Sequence, residues 1–321
     1  MCKVAVIVPV YNVKSNIVQC ADSLFSQTLN DMQFIFVDDA SPDNSVDLIQ
    51  QTLEHYPQRK SQTLILHHPK NLGLPVARAT GLAHVKASYV AHCDSDDFVA
   101  PDMYEKLYKN AIQNNSDMVI CGRIDHYANG KEHIEFDNPY SNNSLIENFL
   151  HCRLCGAVWC RLTKTNIYRH VQFPVDSYFE DIVQTAQLLT FVQRVSFIHE
   201  ALYHYNRHRP SSITTDQRME MIEKQVRQGL NNFKILHDFI VAHHKVKEKD
   251  FIVFKSILRC RYLPQIKRRN IRKKYLQTFP EINFDILFNR NVPRLHKWAH
   301  FLVLIGLYPY VRPLYDKLAK Q

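Results

Sequence analysis

Residues 89–97 read Tyr89-Val90-Ala91-His92-Cys93-Asp94-Ser95-Asp96-Asp97, an apolar run of strand length that stops at three carboxylates in four positions. A short continuous apolar run ending in a polar turn is the pattern of a strand buried on both faces. The same device lies 55 residues upstream, where Phe34-Ile35-Phe36-Val37 stops at Asp38-Asp39-Ala40-Ser41-Pro42-Asp43. The first run, residues 3–10, ends in Pro9-Val10-Tyr11-Asn12 and places an aromatic ring and a carboxamide at a strand end. Strands are predicted over 3–10, 33–37, 63–67, 88–93 and 117–121. Between them Ile17, Ala21 and Leu24 share a helical face, as do Val46, Ile49 and Leu53, and then Val76, Ala79 and Ala83. Strands alternating with helices predict an α/β fold with a mostly parallel central sheet, whose strand carboxyl ends gather on one edge where such sheets bind ligands.

Two adjacent carboxylates need partners, because repulsion and desolvation both oppose ionising a close pair. Asp43 or Ser41 as a helix cap accounts for one part of the upstream turn, and leaves Asp38 and Asp39 to be explained together. At the downstream turn, Asp94, Asp96 and Asp97 form a hard-oxygen set of the kind Mg²⁺ or Mn²⁺ prefers. A cation there answers a shortage elsewhere. The chain has only 7 glycines in 321 residues and contains no G-x-G-x-x-G or G-x-x-x-x-G-K-[ST], so a nucleotide diphosphate has no amide cradle to sit in. A solvated acidic loop is the plainer reading of a D-x-D in isolation; its place at a strand end, paired with a second acidic turn, favours the site.

With 45% hydrophobic residues the chain is not disordered. Its charge of +9 is uneven: residues 1–130 carry −4, residues 131–215 are neutral and residues 216–321 carry +13. The basic third includes Lys267-Arg268-Arg269-Asn270-Ile271-Arg272-Lys273-Lys274 and an apolar, aromatic-flanked segment from Trp298 to Tyr308. Together they suggest a surface that rests on an anionic leaflet; a solvated helical face is the alternative. No nucleic-acid partner is expected, since no recognition motif accompanies the charge. Eight scattered cysteines and a start that runs directly into a strand predict a reducing, cytoplasmic setting without a secretory leader, with peripheral attachment to the inner membrane's cytoplasmic face. Cys152-x-x-Cys155-x₄-Cys160 lacks the second ligand pair of a zinc finger. No apolar run approaches the roughly 20 residues of a transmembrane span. After Pro210 the pattern is helical: Met219, Ile222, Val226, Leu230, Phe233, Leu236 and Ile240 form one stripe.

The runs VAVIVPVYN, SLFSQT, FIFVDDASPDNS, NLGLPVARATGL, YVAHCDSDDFVAPD and FEDI, in this order over roughly residues 3–215, resemble the family 2 glycosyltransferases with the GT-A fold. The resemblance implies a Rossmann-like nucleotide-binding half followed here by a helical region. It divides the chain into a glycosyltransferase domain at 1–215 (a nucleotide-sugar half to 121, an acceptor region from 122) and a basic region at 216–321. By it, Asp39 contacts the base, Pro9 and Tyr11 flank the nucleotide, Arg78 is a nucleotide-side arginine, Asp94 and Ser95 lie near the ribose, and Asp96 with Asp94 holds Mn²⁺ or Mg²⁺. Asn71 and Gly73 shape the turn before Arg78. Ala40 stands where the family often has Gly, and His92 and Cys93, in place of aliphatics, read as core.

By the same resemblance, Asp181 of Tyr178-Phe179-Glu180-Asp181-Ile182 is the catalytic base and Glu180 orients it or the acceptor. First-turn acids favoured by a helix dipole are the plainer account of both. The stretch from Leu202 to Ser212 resembles the loop that follows the acceptor site, with Arg207, Arg209 and Ser211 or Ser212 placed to close on a diphosphate. His204 is a further metal-side candidate, and Trp159, with Arg161 and Lys164, packs near the acceptor or belongs to the core. The function implied is transfer of a hexose or N-acetylhexosamine, with inversion, from a UDP-sugar to a saccharide or lipid-linked saccharide of a bacterial surface polysaccharide. A nucleotidyltransferase shares the carboxylates and metal but usually wants a Gly-rich phosphate loop. A non-catalytic basic module binding anionic lipid or nucleic acid is the reading from outside enzymes.

Overall fold

The computed structural model describes residues 2–207, 218–266 and 269–318. In chain order it runs β1 (Val4–Val10), α1 (Ile17–Phe25), β2 (Met32–Asp38), α2 (Ser45–Glu54), β3 (Thr63–His67), α3 (Leu74–Ala83), β4 (Tyr89–His92), β5 (Phe98–Val99), α4 (Met103–Gln113), β6 (Met118–His126), β7 (Glu132–Glu135), α5 (Leu145–Leu150), β8 (Arg161–Lys164), α6 (Glu180–Phe191), β9 (Val195–Asn206) and α7 (Met219–His243). Five shorter helices follow: α8 (Ile252–Cys260), α9 (Arg269–Gln277), α10 (Asp285–Phe288), α11 (Arg294–Ile305) and α12 (Tyr308–Leu318).

Two compact units result, residues 1–138 with 156–209, and residues 139–155 with 210–321. This grouping differs from a single cut after residue 215: residues 139–155, which carry α5, fall with the helical unit, and the first unit ends at residue 209. Within that unit Phe149 of α5 packs its ring 5.1 Å from Phe254 of α8. Its capping box, in which Ser144 and Glu147 each accept from the other's backbone amide, fixes where α5 begins.

The first unit is an α/β sandwich on one sheet of order β3-β2-β1-β4-β8-β6-β9-β5, with β7 on β6. The run β3-β2-β1-β4 is wholly parallel. All seven residues of β1 are buried, as the unbroken apolar run requires. Register aligns the strand ends: Val10 lies opposite Asp38, Asp38 opposite His67, and Ile7 opposite His92. Close packing of α3 on this sheet explains one scarce glycine, because a Cβ at Gly81 would lie 2.5 Å from Ile7 Cγ2.

The fifth predicted strand does not extend the parallel set. Antiparallel β8 separates β4 from β6, and β6 is parallel to β9 instead. The signal for β8 is hidden by Arg161, a charge whose guanidinium is buried and donates to Thr185 Oγ1 at 3.0 Å. In the helical unit, Ile222, Val226, Phe233, Leu236 and Ile240 of α7 are buried as the stripe predicts, whereas Leu230 is exposed and Gly229 takes the inward position. No described helix is long and apolar enough to cross a membrane.

Candidate active site

The parallel strands deliver three turns to one edge. In the first, after β1, Tyr11 is exposed, Pro9 is buried, and Asn12 takes a left-handed φ of 53°. Its backbone is tied to the turn after β2: Asn12 N donates to Ser41 Oγ, Val13 N to Ser45 Oγ and Lys14 N to Asp43 Oδ2. Burial works to raise the Asp43 carboxyl, but hydrogen bonds from Ser45, the Lys14 amide and Ser41 outweigh it and bring it to about 2. The N-cap position of α2 is Asn44, whose side chain makes no cap bond, so neither Asp43 nor Ser41 is the N-cap; Asp43, one residue earlier, accepts from Ser45 N and from Lys14 N and so ties the two loops together.

Asp38 and Asp39 each have a histidine. Asp38 Oδ2 lies 3.0 Å from His67 Nδ1 and Oδ1 accepts from Ser41 N. Asp39 is buried; Oδ1 is 2.7 Å from His68 Nδ1 and accepts from Leu72 N at 2.8 Å, and Oδ2 accepts from Gly73 N at 2.8 Å. His67 and His68 escaped the sequence reading, although consecutive histidines at the end of the strand neighbouring the acidic turn are the available signal. Asp39 therefore moulds the turn before α3. Gly73 at φ 93° permits that turn at a conformation costly for other residues.

Ala40 has no such freedom, yet sits at φ 55°. A Cβ in this region costs roughly 1 kcal/mol relative to glycine. Ala40→Gly is thus expected to raise the free energy of unfolding by about 1 kcal/mol, read from chemical denaturation; an unchanged or lower midpoint would show that Ala40 carries no strain.

The D-x-D turn follows β4. Asp94 is about a quarter exposed at its side chain, Asp96 is half-buried and Ser95 is buried. Asp97, the third carboxylate, faces inward: Tyr203 Oη donates to its Oδ2 at 2.7 Å and Asn206 N to its Oδ1 at 2.8 Å. Burial, with Asp96 and Asp94 nearby, holds Asp97 well above the usual carboxylate range. The predicted three-carboxylate set is therefore corrected to Asp94 and Asp96, with Asp97 anchoring the turn to β9. Tyr203 Oη also accepts from Asp94 N. Such a pair suits a Mg²⁺ or Mn²⁺ ion, which takes one or two carboxylates plus substrate phosphates; no described group of three or more His, Cys, Asp or Glu is arranged to hold a metal alone.

The E-D motif opens α6. Phe179, before it, takes a left-handed φ of 72°, a strained conformation for a bulky residue, and stacks on Tyr178. Arg78 joins the two acidic motifs. It is buried, its Nη1 donates to Glu180 Oε1 at 2.7 Å, and its Nη2 donates to Asp94 Oδ1 at 2.9 Å. Burial and then the adjoining Asp181 push Glu180 up to about 8 despite Arg78. Burial also raises Asp181, whose Oδ1 accepts from Ile182 N. One buried cation among three carboxylates leaves the cluster short of positive charge, so the Glu180–Asp181 pair holds a proton to higher pH than isolated carboxyls would.

Other expected residues are placed as follows. Arg207, at the end of β9, is not loose: Nε and Nη2 meet Asp125 Oδ2 at 2.8 and 2.7 Å, and the guanidinium lies over Tyr205 and Tyr127. Arg209, Ser211 and Ser212 lie outside the described residues. His204 stacks on Phe98 and its Nδ1 is 2.9 Å from His126 Nε2. Trp159 is buried and stacked on Tyr203 and Tyr205, behind the D-x-D anchor. Lys164 pairs with Asp117. His92 is core as expected, with Nε2 3.1 Å from Tyr168 Oη; burial keeps it neutral.

A mostly parallel sheet with a D-x-D turn at one strand end and an E-D helix beside it matches a GT-A type fold. The chain belongs to glycosyl transferase family 2, whose model matches residues 5–170. It is 30% identical over 221 residues to the uncharacterized glycosyltransferase EpsJ of Bacillus subtilis, covering 66% of this chain and 62% of that protein's length. The fold resembles that of Staphylococcus aureus TarS 1–349 in complex with UDP-GlcNAc, at a TM-score of 0.57 and 15% identity over 99% of this chain and 92% of that one. It also resembles the mannosyltransferase PcManGT of Pyrobaculum calidifontis in complex with GDP-Man and Mn²⁺, at a TM-score of 0.55 and 15% identity over 98% and 88%.

Proposed function

We propose that this chain is an inverting, metal-dependent glycosyltransferase that moves a hexose or N-acetylhexosamine from a nucleotide sugar, foremost a UDP-sugar, to a saccharide or lipid-linked saccharide acceptor in cell-surface polysaccharide synthesis. Residues 1–215 would perform the transfer and residues 216–321 would position the enzyme. The observation that carries the reading is Arg78, which bonds Asp94 of the D-x-D turn and Glu180 of the E-D helix at once. A shared buried cation brings the two acidic motifs into one cluster, which supports a reading in which donor and acceptor meet for a single displacement at an anomeric carbon. The UDP-GlcNAc of the TarS structure and the GDP-Man and Mn²⁺ of the PcManGT structure support a nucleotide-sugar donor and a divalent cation.

Asp39 has three of about four acceptor positions filled, leaving one for a base N–H, with Pro9 and the exposed Tyr11 beside it. Asp94 and Ser95 would receive the ribose, and Asp96 with Asp94 would hold the cation. When bound, that ion neutralises the charge developing on the leaving diphosphate. Arg207 and Ser212 would face the diphosphate, Arg207 after release from Asp125. Asp181, ionised while Glu180 keeps its proton, would accept the proton of the attacking acceptor hydroxyl; Glu180 would orient it.

The test is turnover of a panel of UDP- and GDP-sugars with Mn²⁺ by wild type and Asp96→Ala. Turnover by wild type alone, abolished by chelator, is expected; equal turnover by both would defeat the reading.

A further inference from the structure

Helices α11 and α12 carry a surface whose composition does not suit water. On α11, Arg294, Lys297, Phe301 and Ile305 are spaced 3, 4 and 4 apart on the face opposite buried Ala299, His300, Leu302 and Val303. Phe301 and Ile305 are 47% and 49% exposed. Gly306, at φ 81°, ends the helix and lets the chain turn into α12. Beyond it Leu307, Tyr310 and Leu314 repeat the pattern at 48%, 81% and 51% exposure, while Tyr308 and Tyr315 face inward and Tyr315 stacks on Trp298 of α11. The result is a hairpin whose inner faces are packed and whose corner is apolar.

Its charge is one-sided. Between Asp285 and Asp316 there is no acidic residue, whereas Arg290, Arg294, Lys297 and Arg312 lie there. Arg272 joins them from α9: its Nε and Nη2 donate to Val303 O and Leu304 O, which sets a guanidinium at the carboxyl end of α11, beside Gly306. Aromatic and aliphatic side chains flanked by cations, with no acid from residue 286 to residue 315, match the requirements of an anionic lipid surface, where the apolar groups enter the headgroup boundary and the cations meet phosphates.

We infer that the α11–α12 corner is a membrane-docking element that seats this chain on an anionic lipid leaflet, with Phe301, Ile305, Leu307 and Tyr310 entering the interface. This goes beyond the transfer chemistry and does not depend on it. The experiment is co-sedimentation of the full chain with phosphatidylcholine vesicles, with and without a quarter phosphatidylglycerol, at low and high salt. Compared with wild type are Phe301→Ser/Ile305→Ser/Leu307→Ser, Arg294→Glu/Lys297→Glu, and Glu220→Gln as a helical-unit control. Wild type and control should bind the anionic vesicles and be released at high salt. Both multiple variants should bind at least about tenfold more weakly with unchanged circular dichroism and thermal midpoint. Absence of wild-type binding at low salt, equal binding to vesicles without phosphatidylglycerol, or undiminished binding by the triple variant would overturn the inference. So would a concentration-dependent dimer that the triple variant abolishes, since the patch would then belong to a second copy.

Discussion

Asp181→Asn is expected to lower kcat for sugar transfer by roughly 10²–10⁴-fold, the range a positioned general base contributes, while UDP affinity in the presence of Mn²⁺ stays within about twofold of wild type. Asparagine keeps the shape and can still accept from Ile182 N, but it cannot take a proton. Because burial raises Asp181 above its ordinary value, the acid limb of the wild-type pH profile should lie above the usual carboxylate pKa of about 4. Activity rises with pH through that limb, since the base must be ionised. A second, alkaline limb is expected near the Glu180 value of about 8, where losing the Glu180 proton places a second charge beside Asp181. The pH profile of kcat/KM checks both. Loss of UDP binding in Asp181→Asn would instead put Asp181 on the donor side.

Arg78→Met should be the most damaging change to the fold of the site. Removing one partner from a buried ion pair costs on the order of 3–5 kcal/mol, and here one guanidinium serves two carboxylates. Protonation of Glu180 absorbs part of the cost, so about 3 kcal/mol at pH 7 is expected from denaturant unfolding. Arg78→Met/Glu180→Gln should recover stability, having no orphaned acid at Glu180, but not transfer, because Asp94 remains unbraced. Arg78→Lys should rescue neither, since an ammonium does not offer the two-pronged geometry. Unchanged stability in Arg78→Met would mean that the two motifs are held together by something else.

What was legible in the sequence follows from periodicity and from strand ends. The runs at β1, β2 and β4 are so continuously apolar that only a doubly covered sheet accommodates them, and parallel register then brings Tyr11, Asp39 and Asp94 to one edge. Less legible were features set by single tertiary partners. Strand β8 begins with a buried arginine whose partner lies on α6, so no local pattern announces it. Asp97 looked like a third metal ligand because spacing cannot say which way a carboxylate turns; Tyr203, 106 residues away, decides that. The histidine pair His67-His68 reads as surface until Asp38 and Asp39 are placed next to it. The resemblance singled out Arg78 as a nucleotide-side arginine, but its bonds to both Asp94 and Glu180 depend on the meeting of α3, the β4 turn and α6, which no spacing rule encodes.

Donor binding is expected to depend on a divalent cation held by Asp96 and by Asp94, the latter braced by Arg78. Calorimetric titration of UDP into wild type and Asp96→Ala, with Mn²⁺ and with chelator, tests it most directly. Binding by wild type only when Mn²⁺ is present, and at least about tenfold weaker in Asp96→Ala, is the predicted result. Equal affinity for UDP in chelator and in Mn²⁺, or in wild type and Asp96→Ala, would contradict it.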